Sequence, residues 1–158
     1  MTERRKPGPP GNNHLDDLPD VNVWLALAIK QHPHHDVAAA YWSELAGRRV
    51  WFCRITMLGL VRLLCQPKVM GNQALSLTQS LATYERFASL PEIGFQAEPS
   101  NCTGKLQQLL SLDVPARLLT DAYLAAFAKA GGLRLVTFDR DFERFAGLDC
   151  LHLIAAKH

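Results

Sequence analysis

Short apolar runs alternate along the chain with longer segments in which apolar residues recur every three or four positions, the marks of buried strands and amphipathic helices. Residues 18–21 form a brief run leading directly into 23–29, a strand that turns into a helix. Gln31-His32-Pro33-His34-His35 is a turn broken by Pro33; Val37, Ala40, Tyr41 and Leu45 then fall at helical spacing, and Gly47 closes that helix. Val50-Trp51-Phe52-Cys53 has the density of a buried strand. Thr56 is placed to cap a helix over about 57–65 that Pro67 stops. Ser76 opens another, carrying Leu77, Leu81, Tyr84 and Phe87 or Ala88, that ends before Pro91. After a brief strand at 93–95, residues 100–112 put Leu106, Leu109 and Leu110 on one helical face, and Pro115 separates them from an Ala- and Leu-rich helix over 121–130. Gly131-Gly132 stops that helix, and 133–137 and 150–154 are the last strands.

Strands alternating with helices predict an α/β fold: an α/β/α sandwich around a central, mostly parallel sheet of four to five strands, joined by right-handed crossovers. With 158 residues, 48% hydrophobic and 20% charged, the chain suits one globular domain over 17–155. The tail at 1–16 mixes charges with Pro and Gly, lacks the apolar core of a secretory signal and is expected to be disordered. The apolar run 21–29 is far shorter than the roughly 20 residues that span a membrane, so a cytoplasmic protein without a membrane partner is expected. A net charge of +2 permits RNA binding without arguing for it. Cys53, Cys65, Cys102 and Cys150 are too scattered for a disulfide framework or a zinc site.

Candidate chemistry lies where the apolar runs end. Leu18-Pro19-Asp20-Val21-Asn22-Val23-Trp24, Leu119-Thr120-Asp121-Ala122-Tyr123 and Thr137-Phe138-Asp139-Arg140-Asp141-Phe142 each place acids at the edge of an apolar stretch. Carboxylates at the carboxyl ends of neighbouring parallel strands, or where a helix begins, converge in space. Unpaired, they repel one another, and a divalent cation is the usual reason for such a cluster to persist. The pattern points to a metal-dependent reaction. Taken singly, each acid has a plainer role: Asp20 and Asp121 as helix N-caps, Asp139 in a hydrogen-bonded turn, Asp141 as the cap of a short helix before Gly147. His32, His34 and His35 lie on a turn without a spaced set of partner ligands, which favours a solvated turn over a zinc or copper site. Arg62, in an otherwise apolar helix, either holds a carboxylate or phosphate or simply reaches to water.

In their order along 18–153, Asp-x-Asn-Val, Thr-Asp-Ala-x-Leu-Ala-Ala and Val-Thr-Phe-Asp-Arg-Asp-Phe resemble the PIN-domain family, and within it the VapC-type toxin ribonucleases. The resemblance implies a PIN-like fold and a Mg2+- or Mn2+-dependent endoribonuclease, the dimeric toxin of a toxin–antitoxin pair, inhibited by a VapB-type antitoxin. Matched residue by residue, Asp20 is the first acid, Asp121 the third and Asp139 the fourth, with Asp141 at an adjacent, frequently acidic position. The second acid has no counterpart. The family carries a Glu on the helix matching 56–65, and here Met57 and Gly59 stand at its possible positions, with no acidic residue from Ile55 to Cys65. Weaker cation binding and activity, with Mn2+ the better activator, are the expected consequences.

On this reading Asp20, Asp121 and Asp139, joined by Asp141, hold one or two Mg2+ ions that acidify a water for in-line attack on a phosphodiester. Asn22 and Thr137 orient waters or the Asp20 carboxylate. Arg54, Arg62, Lys68 and Arg140 are candidate contacts to the phosphates of single-stranded or looped RNA, whose unstacked nucleotides are open to a protein. Two rivals remain. A degenerate PIN domain would bind RNA or antitoxin without cutting, as the missing acid suggests. A dehalogenase-like phosphatase would use Asp20 as nucleophile, although that family has a second Asp where Asn22 stands. Assembly is expected through the helices around 41–45 and 56–64, on Trp42, Leu60 and Leu64.

Overall fold

The computed structural model describes residues 15–111 and 113–154; the tail expected at 1–16, apart from Leu15 and Asp16, lies outside the described residues, as do Leu112 and residue 155. Five strands, β1 (Asp17–Pro19), β2 (Val50–Phe52), β3 (Ile93–Phe95), β4 (Arg134–Thr137) and β5 (Cys150–His152), form one sheet in the order β3-β2-β1-β4-β5. Every neighbouring pair is parallel. Parallel pairing requires crossovers, which helices supply. Between β1 and β2 run α1 (Val21–Ala28) and α2 (His35–Ser43); between β2 and β3, α3 (Arg54–Leu64), the short α4 (Pro67–Met70) and α5 (Leu77–Ala88). Between β3 and β4 lie α6 (Cys102–Leu110) and α7 (Leu119–Gly131), and a 3-10 turn (Arg140–Arg144) joins β4 to β5.

Side chains alternate along each strand, so the sheet divides the core in two. Val50, Phe52, Ile93 and Val136 pack with Val23, Trp24 and Leu60 of the layer built by α1, α2, α3 and α5. Leu18, Trp51 and Leu135 pack with Leu109, Leu124 and Phe127 of α6 and α7. Trp24 stacks on Phe52 with ring centroids 3.8 Å apart and meets Phe87 edge-on at 5.3 Å. The small, fully buried Ala122, Ala125, Ala126 and Ala128 let α7 sit close within its layer. That helix stops where Gly132 takes a left-handed φ of +63°, a conformation that favours glycine.

Several boundaries move for local reasons. The helix expected from 57 starts at Arg54, because Cys53 is its N-cap and Thr56, three positions on, accepts the Cys53 N–H through Oγ1 at 3.0 Å. Asp121 lies in the first turn of α7, whose N-cap is Leu118, and so does not cap it. The 3-10 turn is capped by Asp139, not Asp141. Leu77 and Leu81, read as the inward stripe of α5, are 70% and 42% exposed; Tyr84 and Phe87 face the core instead. Leu60 and Leu64, expected at an assembly surface, are fully buried in the chain's own core, leaving Trp42 of that set partly exposed.

Away from the carboxyl edge, the Asp17 side chain is buried at the start of β1. Arg134 donates to both its oxygens at 2.8 and 3.0 Å, Arg48 to one at 3.3 Å, and the Tyr41 hydroxyl at 2.9 Å. Such pairing is what allows a buried charge. No described helix is long and apolar enough to cross a membrane.

Candidate metal centre

At the centre of the sheet, the register that sets Pro19 opposite Val136 brings Asp20 beside Thr137 as β1 and β4 end. Asp20 caps α1: its Oδ1 accepts the Val21 N–H at 2.7 Å, while Oδ2 accepts from the Thr137 hydroxyl at 3.1 Å. The same Thr137 oxygen accepts the Asp139 N–H at 3.0 Å, and Asp139 Oδ1 accepts the Asp141 N–H at 2.8 Å. From β5, His152 Nε2 donates to the Asp139 carbonyl at 3.0 Å. The cap suspected for Asp20 and the turn suspected for Asp139 are thus both present, and they orient the carboxylates rather than replace them. Thr137 is fully buried and holds two of these acids in register.

α7 brings in Asp121. One carboxylate oxygen from each of Asp121, Asp139 and Asp141 lies within 4.8 Å of the others. Burial, then the charges of Asp20, Asp139 and Asp141, push the Asp121 carboxyl up to about 6. Asp20 is also raised, chiefly by burial, against the hydrogen bonds from Val21 and Thr137 that favour its charged form. Arg117 pairs with Asp141 at 3.6 Å, but it is 68% exposed, and a pair so open to water contributes at most about 1 kcal/mol. Nothing local in the sequence singles out Arg117, which stands on a 3-10 turn (Ala116–Leu118) and meets Asp141, on the turn after β4, only in the folded chain.

Hard oxygen donors that repel one another fit a small divalent cation. Mg2+ holds oxygen at about 2.1 Å, so opposite ligands stand about 4.2 Å apart; the trio needs only small side-chain adjustments to share one ion. Asp20 sits alongside the trio, with one oxygen on Thr137.

Next to the acids, a groove of about 540 Å3 is lined by Asp20, Asn22, Gly59, Arg62, Thr120 and Asp121, among others. Of the cations read as phosphate contacts, Arg62 lies in this groove. Arg54 instead stacks over the Phe95 ring at 4.6 Å, and Lys68 on α4 and Arg140 on the 3-10 turn are exposed outside the groove lining. Asn22 is exposed on the groove wall, and the Asp20 hydrogen bonds come from Val21 and Thr137 rather than from it.

A family profile for the PIN domain matches residues 18–148. This chain is a PIN-domain protein. Among its relatives, Ribonuclease VapC41 of Mycobacterium tuberculosis is 36% identical over 144 residues, covering 87% of this chain and 98% of that protein. Ribonuclease VapC44 of the same organism is 33% identical over 126 residues, covering 78% and 85%. Two solved structures share the fold: VapBC2 from Rickettsia felis, bound to a fragment of promoter DNA (TM-score 0.67, 16% identity, 87% and 98% of the two chains), and VapC20 from M. tuberculosis, a sarcin-ricin-loop cleaving toxin (TM-score 0.64, 16% identity, 84% and 96%).

In this PIN domain the wall supplied by α3 carries no carboxylate. Met57 is buried in the core, whereas Gly59 lines the groove one helical turn before Arg62. A side chain at Gly59 would meet α1 at once, since its Cβ would stand 2.7 Å from Val21 Cγ2. Glycine is what lets the two helices approach here.

Proposed function

We propose that this PIN domain is a divalent-cation-dependent endoribonuclease that cuts single-stranded or looped RNA in the cytoplasm, as the toxin of a VapBC-type pair bound by a VapB-type antitoxin and acting as a homodimer. The convergence of Asp20, Asp121, Asp139 and Asp141 beside a groove bearing Arg62 carries this reading. Relatives named as ribonucleases and neighbours solved as toxin–antitoxin complexes support it.

Asp121, Asp139 and Asp141 hold Mg2+ or Mn2+, with Asp20 completing the negative wall. When bound, the cation supplies positive charge for the phosphate and acidity for water. Thr137 keeps Asp20 and Asp139 aligned through its two hydrogen bonds. Arg62 seats a phosphodiester in the groove through its fixed fork of donors. With no acid on α3, the site has fewer charges to hold a cation, which favours Mn2+ over Mg2+ as activator.

Incubating the purified protein with end-labelled single-stranded RNA in Mg2+, Mn2+ or EDTA tests the reading. Internal cleavage in both cations, faster in Mn2+ and absent in EDTA, is expected. The α3 wall without a carboxylate is the observation that favours the second reading, a PIN domain that binds RNA or antitoxin without cutting; RNA retained intact in both cations would establish it.

A further inference from the structure

The His-Pro-His turn, which sequence alone leaves as a solvated loop, lies against the acidic centre. A second groove, of about 420 Å3, is lined by Asn22, His32, Pro33, His34, Phe138 and Asp139. Asn22 lines both this groove and the Arg62 groove, with Asp139 on this side and Asp20 and Asp121 on the other. His34 stacks on Phe138 with ring centroids 4.7 Å apart and planes 28° apart, and His32 stands 5.6 Å from His34.

This wall is pre-organised. His32 Nδ1 accepts the His34 N–H at 3.0 Å, which places the His32 ring proton on Nε2. His35 Nδ1 donates to the Ala26 carbonyl at 2.8 Å, tying the turn to α1, and the backbone N–H groups of His32 and His35 bond back to Ile29 and His32 at 2.9 and 3.0 Å. Phe138 directly precedes Asp139, so the stacked pair stands at a set distance from the acids. A surface ordered before its ligand arrives loses little freedom on binding.

We propose that this groove is a base-stacking subsite: the nucleobase flanking the scissile phosphate stacks on the His34–Phe138 pair, with His32 as a hydrogen-bonding edge, while the chain on the other side of the phosphate follows the Arg62 groove. Half-buried aromatic faces beside a phosphate-handling centre suit an unstacked base, because every base has a face to stack. The assignment rests on the ribonuclease reading for its substrate, single-stranded RNA.

Single-stranded RNA carrying 2-aminopurine, whose fluorescence falls on stacking, tests this in an Asp121→Asn background that leaves the RNA whole. Quenching is expected on binding. His34→Ala should abolish it and weaken binding about 5- to 100-fold, the range for loss of one base–aromatic stack, while its melting curve shows it still folded at the assay temperature; His34→Phe should restore both quenching and affinity. With Asp121 intact and Mn2+ present, His34→Ala should raise KM more than it lowers kcat. Unchanged affinity and quenching in His34→Ala overturn the subsite, and leave the ribonuclease reading standing if the protein with Asp121 and His34 intact cuts RNA. Quenching lost in His34→Ala, with no cleavage by the unsubstituted protein, upholds the subsite and overturns the nuclease. No RNA binding at all overturns both.

Discussion

Asp121 has an ordinary carboxyl pKa of 3.8 when unfolded and about 6 in the folded protein. A group raised in this way stabilises the fold where it is protonated, below about 3.8, and that contribution is lost as pH rises to about 6. The metal-free protein should therefore lose stability across that window. Asp121→Asn, which cannot acquire the charge, should melt higher than the unsubstituted protein at about pH 7.5; thermal melts in EDTA check both statements. Because a cation needs the charged carboxylate, Mn2+ should raise the melting temperature at about pH 7.5, less at about pH 5, and little in Asp121→Asn. Arg134→Ala is a contrasting change far from this chemistry: it strips the paired donor from the fully buried Asp17 and should destabilise by about 3 kcal/mol in denaturant melts. The four acids were legible in the sequence because each falls where an apolar run ends. Arg117 was not, since its meeting with Asp141 is made by packing between elements far apart in the chain.

α3 is the element on which the resemblance to the family leaves an expected acid unmatched. Its groove side carries Gly59 and Arg62, and α1 is packed against it so closely that the Val21 methyl occupies the place of a side chain. Gly59→Glu should therefore lower the melting temperature by itself, and Val21→Ala should recover part of the loss by clearing that space. If the recovered double variant binds Mg2+ more tightly than the parent by calorimetry, the α3 wall is where the missing charge matters. Met57→Glu should unfold the protein or strongly destabilise it, because it puts a carboxylate into the core around Trp24 and Phe52. Sequence left these two positions equivalent. Their places in the packed helix separate them: Met57 is buried in the core, and Gly59 lines the groove.

Alternating strands and helices were enough to anticipate a parallel sheet between two helical layers. They could not show that β1 and β4, more than a hundred residues apart, lie side by side, and it is this pairing that gathers Asp20 and Asp139 around Thr137. Nor could periodicity separate the inward from the outward leucines: Leu60 and Leu64 fill the core, while Leu77 and Leu81, one turn apart on α5, face out. If the homodimer uses that outward pair, Leu77→Lys with Leu81→Lys should halve the mass seen by light scattering and leave the melting curve nearly unchanged. The central claim is that the converged acids carry a cation-dependent cut in RNA. Its most direct measurement is the single-turnover rate of single-stranded RNA cleavage in Mn2+ by the unsubstituted protein and by Asp139→Asn. A rate lower by more than about 100-fold in the variant, beyond what loss of a merely orienting group costs, and no cleavage by either protein in EDTA, is the predicted result; equal rates, or cleavage that persists in EDTA, would contradict it.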